Sequence, residues 1–567
     1  MIGLNKIGLN QVQLNRLRLN APFPAYGKMA GGGGSGDGFP QLPGDVTRWH
    51  FGGLTNEMMA AMDDPRIEDV DHKGRFLSFK NFAWKEGSGI SDVYPGFILG
   101  DGVDDFAITE KELNFEDTYT VYTAFIPFQD DPARNMVLCG KNHLKDFYIT
   151  YSDLNRITFY SAEKFVFESL SKGFNILCCK RTPDKMVIKN LITGKSSERL
   201  ANALIDNPGL YYLWKGAVFA NYAKAAIAGQ TICNGYFSTD EDNEKVLDWY
   251  KKQYPWLFPD QAWTVTGKTN EDEDRATIAN ITGNGNDLVL SNFGFAGGSG
   301  YGLYAYNFNS FELRDNVVKP TDVKKDSFRI IGIGNNGNVL VLSNTSNSAA
   351  WKIRITGMKE GDSCIVGNAN KSGDYIKIIK DGIYTFQKQY AATSINGIWY
   401  NSSQEVDVLV EQIPEYEGYL ITDGVDDEII SAKLIQFADK FTIVGDWKFM
   451  EDRNDNAGLL KANQIYIYNA TTGMRIYLKQ GSKNYPFSCK KINALTSDGW
   501  VYDEKWDKYK VYPIGSDIDI SSRLFLGFYS SNFTKIALKN LGIYNDQLLS
   551  KDDCIKAYNY LQTLKAK

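Results

Sequence analysis

The sequence is poor in the residues that mark several common classes of protein. It has only three histidines, His50, His72 and His143, which are too dispersed to predict a metal cluster. Its seven cysteines are scattered, odd in number and without a Cys-x-x-Cys pair, which disfavours both a disulfide framework and a zinc site. Most of the cysteines are therefore expected to be small buried residues of a protein made in a reducing compartment.

Long apolar runs and excess positive charge are also missing. No stretch reaches the roughly 18 consecutive apolar residues that indicate a membrane-spanning helix, so no span is expected. The net charge is −6 over 567 residues, which gives no basic footprint for nucleic acid. The N-terminal residues lack the apolar stretch of a signal peptide, so export by the general secretory route is not expected.

The abundant residues favour strands. Aromatic residues make up 13% of the chain, with 33 Tyr and 32 Phe, and the 52 glycines far outnumber the 16 prolines. Aromatic segments joined by Gly and Asn turns are typical of all-β proteins. At roughly 150 residues per domain, the length predicts three or four domains.

Internal repetition is the strongest pattern in the chain. The pentapeptide Asp-Gly-Val-Asp-Asp follows an apolar run at 101–105 and again at 423–427. GRFLSFKNFAWKEGSG from Gly74 is similar to GNDLVLSNFGFAGGSG from Gly285, and the segment from Gly235 is similar to the segment from Gly542. These matches predict a duplicated domain.

The last pair of matches predicts that each repeat ends in a helix. Ser238 with Glu241, and Ser550 with Asp553, have the S-x-x-[DE] spacing of a capping box. Pro255 would end the first of these helices. Each repeat would therefore open with a strand, continue through short strands and close with one helix.

These patterns predict an all-β, multidomain fold in which two jelly-roll β-sandwiches flank a smaller antiparallel β-sandwich. The expected segments are an anchor with a Gly-rich linker (1–46), a small β element (47–93), the first jelly roll (94–260), the middle β-sandwich (261–415) and the second jelly roll (416–567). The anchor repeats x-x-x-Leu-Asn before AGGGGSGDG, which favours either a docking peptide on a flexible tether or a disordered tail.

Three interpretations of the repeated pentapeptide compete. A catalytic carboxylate pair is disfavoured, because three acids in a solvated turn would ionise alike. Calcium could use the clustered carboxylates, but Val103 and Val425 interrupt the run and no EF-hand spacing follows. The favoured interpretation is a structural turn in which Gly supplies a positive φ, so no catalytic residue, metal or cofactor is predicted. The residues of this turn are Asp101, Gly102, Asp104 and Asp105 in the first copy and Asp423, Gly424, Asp426 and Asp427 in the second.

Two family resemblances follow from these motifs. Three segments resemble parts of concanavalin A-like, laminin G-type jelly-roll domains: GFILGDGVDDFAI, GYLITDGVDDEII and LGIYNDQLLSKDDCIKAYNYL. This resemblance implies a lectin-like fold, although the same fold serves lectins, glucanases and adhesion modules. The layout of the whole chain resembles fibre or appendage proteins of tailed phages, including crAss-like phages. The segments that carry this second resemblance are the GLNKIGLN start, the Gly-rich tether, DVDHKGRFLSFKNFAW and ITGNGNDLVLSNFGFAGGSGYG.

The second resemblance implies a non-enzymatic virion subunit, assembled in the host cytoplasm. Its N-terminus would attach to other virion proteins, and its lectin-like domains would bind host surface glycans. Such appendages are usually symmetric homo-oligomers, most often trimers. The alternatives are a bacterial carbohydrate-binding or glycan-degrading surface protein, and a purely structural appendage without a ligand.

Aromatic clusters mark where a saccharide would bind, since sugars stack on aromatic rings and hydrogen-bond to polar neighbours. The richest segments are SDGWVYDEKWDKYKVY in the second copy and GLYYLWKG in the first. The candidate ligand-binding residues are Trp500, Tyr502, Trp506, Tyr509, Tyr212 and Trp214. The competing interpretation is that these aromatics pack within strands.

Overall fold

The computed structural model describes most of the chain after the predicted anchor. The x-x-x-Leu-Asn repeat and nearly all of the Gly-rich linker lie outside the described residues. The described ranges are 38–128, 136–141, 147–153, 156–161, 163–168, 170–171, 173–201, 209–215, 222–295, 298–304, 308, 312–313, 318–342, 351–368, 375–386, 396–450, 457–462, 465–470, 473–478, 481–484, 491–510, 520–529 and 532–566.

The prediction of an all-β, multidomain protein is confirmed. The chain divides into two compact units, with the division after Leu257. Strands dominate both units, and none of the helices in the described ranges is long and apolar enough to cross a membrane. The described helices are α1 (Asn56–Ala60), α2 (Asp240–Gln253) and α3 (Lys551–Thr563), with a 3-10 turn at Pro255–Leu257.

The first unit, called here the first module, contains two eight-stranded antiparallel sheets around a continuous apolar core. In order across its first sheet, the strands are Ser196–Leu200, Lys185–Asn190, Asn175–Arg181, Tyr119–Pro127, Ala225–Asn234, Ile98–Leu99 and Gly89–Ile90, with Asp45–His50 also paired to Ala225–Asn234. The strands of its second sheet are Glu163–Glu168, Arg156–Ser161, Phe147–Asp153, Met136–Lys141, Tyr211–Leu213, Phe106–Thr109, Phe76–Lys80 and Arg66–Glu68.

The second unit repeats this arrangement in what is called here the second module, with its own apolar core. The strands of its first sheet are Gly300–Leu303, Glu415–Ile421, Ile536–Asn545, Phe441–Phe449, Lys491–Thr496, Trp500–Asp503 and Lys508–Lys510, with Gln261–Thr264 also paired to Ile536–Asn545. The strands of its second sheet are Thr277–Ile278, Leu288–Ser291, Glu428–Ser431, Phe525–Leu526, Ala457–Ala462, Ile465–Ala470, Gly473–Leu478 and Gly481–Asn484. Two small ribbons pair Ile435–Phe437 with Ile520–Ser522 and Phe528–Tyr529 with Asn532–Phe533.

A further eight-stranded antiparallel sheet is formed by residues that lie, in sequence, between two strands of the second module, Gly300–Leu303 and Glu415–Ile421. It has a separate apolar cluster, which includes Phe328, Ile353 and Val408. Its strands are Glu312–Leu313, Val318–Thr321, Ser327–Leu342, Trp351–Thr356, Ser363–Asn368, Tyr375–Ile378, Gly382–Phe386 and Asn396–Ile413.

Strand pairing crosses two of the expected segment boundaries. Asp45–His50 pairs with Ala225–Asn234, so the element expected at 47–93 shares sheets with the first jelly roll. Gln261–Thr264 pairs with Ile536–Asn545 in the same way, so the start of the expected middle segment belongs to the second module. Each module therefore closes by pairing its first strand with a strand near its end, a long-range contact that short sequence windows do not show.

The two closing helices begin at equivalent caps. Ser550 caps α3 as predicted, since its hydroxyl oxygen accepts the Asp553 N–H at 3.1 Å. The α2 cap lies one residue later than predicted. Thr239, and not Ser238, accepts the N–H of Asp242 at 3.1 Å, and the Asp242 carboxylate accepts the Thr239 N–H at 2.8 Å.

Candidate functional site

The two Asp-Gly-Val-Asp-Asp stretches fold into the same tight corner. In the first, the Asp101 carboxylate accepts the N–H groups of Val103 and Asp104 at 2.7 and 3.3 Å. The Asp105 carboxylate accepts the Asp101 N–H at 3.0 Å, which closes the turn. Gly102 has a φ of +78°, a left-handed conformation that glycine adopts without a steric cost.

The second corner repeats each of these bonds. Asp423 accepts the N–H groups of Val425 and Asp426 at 2.7 and 3.3 Å, Asp427 accepts the Asp423 N–H at 2.6 Å, and Gly424 has a φ of +77°. In each corner, one oxygen from each of the three carboxylates lies within 4.8 Å of the others. Two of the three carboxylates in each corner, those of Asp101 and Asp105 or of Asp423 and Asp427, accept the hydrogen bonds that hold the turn, and we assign no metal to the corner.

The expectation that the three acids of each corner are all solvated and ionise alike is wrong, because one carboxyl group in each corner is buried. Asp105 is 0% exposed and Asp427 is 1% exposed. Burial raises the pKa of each to about 6, although the Ser88 hydroxyl beside Asp105 and the Ser299 hydroxyl, 3.0 Å from Asp427, act in the opposite direction. These carboxyls shape the fold and are expected to make its stability depend on pH.

We expect the unfolding free energy to rise as the pH falls from about 7 to about 4. Because the folded pKa of each group is raised, the folded chain binds more protons than the unfolded chain between the ordinary value of 3.8 and about 6. At neutral pH each ionised group then costs up to roughly 3 kcal/mol, at about 1.36 kcal/mol per pH unit. The Asp105→Asn/Asp427→Asn double variant keeps the acceptor oxygens, and urea unfolding should show a flatter pH profile for it. Asp104→Asn/Asp426→Asn is the exposed control and should follow the wild-type profile. If Asp105→Asn/Asp427→Asn also followed the wild-type profile, the prediction would be contradicted.

The two predicted ligand residues of the first module lie in different environments. Trp214 is 0% exposed, its indole N–H donates to the Ala225 carbonyl at 2.7 Å, and its ring stacks with Phe51 at 6.2 Å between centroids. A saccharide in solution cannot reach this ring, so Trp214 is a core residue and is removed from the candidate set. Tyr212 is half-buried beside Phe106, with ring centroids 6.3 Å apart.

The four predicted ligand residues of the second module lie on a hairpin. Trp500 and Tyr502 face the same side of their strand, although Tyr502 is only 2% exposed. Trp506 lies in the turn, half-buried, with its ring 6.1 Å from that of Tyr502. Tyr509 pairs with the core residue Val501, on the other side of the hairpin. The structure therefore brings three of the four residues together and separates Tyr509 from them.

The hairpin continues into a polar cluster that the sequence did not indicate. Asp446, only 3% exposed, forms an ion pair with Lys491 at 2.7 Å. The Asp446 carboxylate also accepts hydrogen bonds from the hydroxyls of Tyr419 and Tyr558, at 2.8 and 3.0 Å, and from the Gln562 amide at 3.1 Å. Burial alone would raise the pKa of Asp446, but Lys491 and the tyrosine hydroxyls hold it below its usual value. Asp446 is therefore a buried carboxylate anion whose Oδ2 accepts three hydrogen bonds and whose Oδ1 lies 2.7 Å from the Lys491 ammonium.

An aromatic face connects the hairpin with this cluster. We give this name to Trp500, Trp506, Tyr558 and Tyr419, all of which are half-buried. The Trp506 ring packs edge-on against Tyr558 at 5.7 Å, and Tyr558 shares the Asp446 carboxylate with Tyr419. Rings of this kind beside hydroxyl, amide and ammonium groups provide both the stacking and the hydrogen bonding that sugars need.

Two further lysines lie at the Tyr419 end of the aromatic face. The Lys448 ammonium is 4.4 Å from the Tyr416 ring centroid and 4.9 Å from the Tyr419 centroid. The Lys539 ammonium is 5.8 Å from the Tyr419 centroid. Burial lowers the pKa of Lys448, and Asp446 acts against that effect.

The first module does not share this cluster. Both modules have a bulge at equivalent places in the first sheet. It lies between Tyr119–Pro127 and Ala225–Asn234 in the first module, and between Phe441–Phe449 and Ile536–Asn545 in the second. At that bulge Ala124 pairs with Gly229 in the first module, whereas Asp446 pairs with Asn540 in the second. An alignment of the two repeats in register was the one sequence signal that could have identified Asp446.

Comparison with known proteins identifies no family. No protein-family model matches the chain, and no curated protein matches it. One similar solved structure is domain 4 of AbnA, a GH43 extracellular arabinanase from Geobacillus stearothermophilus, in complex with arabinotriose. Its sequence is 11% identical, the match covers 36% of this chain and 96% of that chain, and the TM-score is 0.26. The receptor-binding domain of botulinum neurotoxin type G is 11% identical. The match covers 70% of this chain and 90% of that domain, with a TM-score of 0.25. The VIP36 exoplasmic/lumenal domain, in a Ca2+/Man3GlcNAc-bound form, is 8% identical. The match covers 31% of this chain and 90% of that domain, with a TM-score of 0.19. At such scores these likenesses carry no functional argument.

Proposed function

We propose that the protein is a non-enzymatic, glycan-binding attachment subunit that holds saccharides on the aromatic face of the second module. The observation that carries this proposal is the arrangement of Trp506, Tyr558 and Tyr419 around one hydrogen-bonded carboxylate. Half-buried rings supply stacking area at a low entropic cost, and their polar neighbours fix the orientation of a bound ring.

The state of Asp446 supports binding over bond cleavage. A glycosidase needs two carboxyl groups across the scissile bond, one of them kept protonated by a raised pKa. Asp446 has a lowered pKa, is ion-paired with Lys491 and accepts three further hydrogen bonds. Such a group can orient a ligand but is a poor proton donor.

The place of this activity on a virion rests on the sequence resemblance to tailed-phage appendages. In this proposal residues 1–46 anchor the chain to other virion proteins, and the subunit assembles as a homo-oligomer. Mass spectrometry of purified particles, with sedimentation of the full chain, tests this part separately from glycan binding. A monomeric chain that is absent from particles would overturn it.

Removing the half-buried tryptophan rings of the aromatic face is expected to weaken glycan retention. The full chain should retain a subset of glycans on a printed array, and Trp506→Ala should reduce that signal at least about fivefold, since loss of one stacked aromatic is worth roughly 1–3 kcal/mol. Trp500→Ala should weaken binding less, because the Lys508 ammonium already lies 3.5 Å from its ring centroid.

Tyr212→Ala is the matched control in the first module. Circular dichroism checks that each variant is folded. Retention that is unchanged in both tryptophan variants, or lost in the Tyr212 control, would contradict the site assignment.

A further inference from the structure

The Tyr419 end of the aromatic face differs from the rest of that face in its charge. Lys448 and Lys539 reach the Tyr419 ring from two neighbouring strands, and Lys448 also lies over Tyr416. The two tyrosine rings are perpendicular to each other, with centroids 6.1 Å apart. We call these four residues the lysine–tyrosine basin.

The two ammonium groups of the basin differ from that of Lys491. Lys491 is neutralised by Asp446, at 2.7 Å. Among the described residues, neither the Lys448 nor the Lys539 ammonium forms an ion pair or hydrogen bond. Asp446, which is already paired with Lys491, acts on Lys448 only through longer-range charge, and so do the solvent-exposed Glu415 and Glu504.

A half-buried cation without a counter-ion has lost part of its hydration without full compensation. A tyrosine ring offsets only part of that cost. An anionic group placed between Lys448 and Lys539 would complete the compensation, and the sugar that carries it would lie beside the Tyr419 ring, which the two ammonium groups already contact. A lysine suits such a ligand as a point charge on a flexible stem.

Resting on the proposed glycan-binding function, we propose that the lysine–tyrosine basin binds the anionic group of an acidic saccharide. The ligand is a sugar that carries a carboxylate or a sulfate, with its anionic group between the two ammonium groups. The neighbouring Trp506 and Tyr558 would hold the next sugar along the chain. The second module would therefore select charged surface polysaccharides over neutral ones.

The proposal is tested on an array printed with neutral, uronic acid-containing, sialylated and sulfated glycans, probed with the full chain. We expect acidic glycans to be retained, with affinity that falls as the salt concentration rises. The double variant Lys448→Met/Lys539→Met keeps most of the aliphatic stems and should lose at least tenfold in affinity for acidic glycans, whereas Lys448→Arg should keep most of it. Lys461→Met is the control, because its ammonium also lies over a ring, that of Phe525, but on the other sheet.

The outcomes separate the two proposals. No retained glycan of any class would overturn the proposed function itself. Retention of neutral glycans only, or acidic binding unchanged in the double variant, would overturn the basin while leaving glycan binding in place. The carboxylated and sulfated arms identify which anion the basin prefers, and equal loss in Lys461→Met would show that the effect is only one of net charge.

Discussion

Replacing Asp446 by alanine is expected to destabilise the second module by about 3–5 kcal/mol, the usual result of removing one partner from a buried ion pair. The variant would leave the Lys491 ammonium, whose side chain is only 17% exposed, without its counter-ion. It would also remove the shared acceptor of Tyr419, Tyr558 and Gln562. Since Tyr558 and Gln562 belong to α3, this helix should lose part of its attachment to the sheet. Urea unfolding of the full chain gives the size of the effect, and hydrogen exchange shows whether it is confined to α3 and the second module.

A compensating variant separates the charge from the packing. Asp446→Ala/Lys491→Met removes both charges, so it should recover a large part of the lost stability. Asp446→Asn keeps an acceptor oxygen and should fall between the wild type and Asp446→Ala. If the double variant were as unstable as Asp446→Ala alone, the uncompensated lysine would not be the cause, and lost hydrogen bonds would account for the whole effect.

Local patterns in the sequence predicted the parts of the fold that depend on local bonds. The Asp-Gly-Val-Asp-Asp corner is held by hydrogen bonds within five residues, so the pentapeptide itself specifies it. The α3 cap likewise depends on Ser550 and Asp553 alone. The α2 cap was misplaced by one residue, because Ser238 and Thr239 are both good capping residues and tertiary contact decides between them. The Ser238 N–H donates to Thr120, which places Ser238 in the sheet contact and leaves Thr239 at the helix start.

The polar cluster could not be predicted in this way. Asp446, Lys491 and Tyr558 lie on three different elements, and only the fold brings them together. Asp446 is the one acid in the strand FTIVGDWKF, which is mostly apolar apart from Thr442 and Lys448. The hairpin was found because its aromatics are dense in sequence, but aromatic density does not distinguish the half-buried Trp506 from the fully buried Trp214. That distinction depends on which residues the fold packs around each ring, Phe51 and Phe82 for Trp214 and Tyr502 and Tyr558 for Trp506.

Trp214→Ala is expected to destabilise the first module by about 3–5 kcal/mol, the range for removal of a large buried aromatic. The ring packs against Phe51 and Phe82, and its N–H satisfies the Ala225 carbonyl. Because this ring is part of the core, glycan retention by the second module should not change under native conditions. Hydrogen exchange should localise the loss of protection to strands of the first module, and urea unfolding gives its magnitude. Loss of glycan binding in a variant that remains folded would return Trp214 to the candidate ligand residues.

Gly100→Ala tests the same packing from the other side. A Cβ on Gly100 would lie 2.5 Å from the Trp214 ring, closer than side chains approach one another, so the ring would have to move. Such overpacking typically costs 1–3 kcal/mol, and we expect about that loss in the first module. Gly298→Ala is the matched control, since the nearest atoms to a Cβ there are 3.9 Å away and its φ is not in the left-handed region. If Gly100→Ala were as stable as Gly298→Ala, the Trp214 ring would have room to shift, and the expected cost of Trp214→Ala would have to be lowered with it.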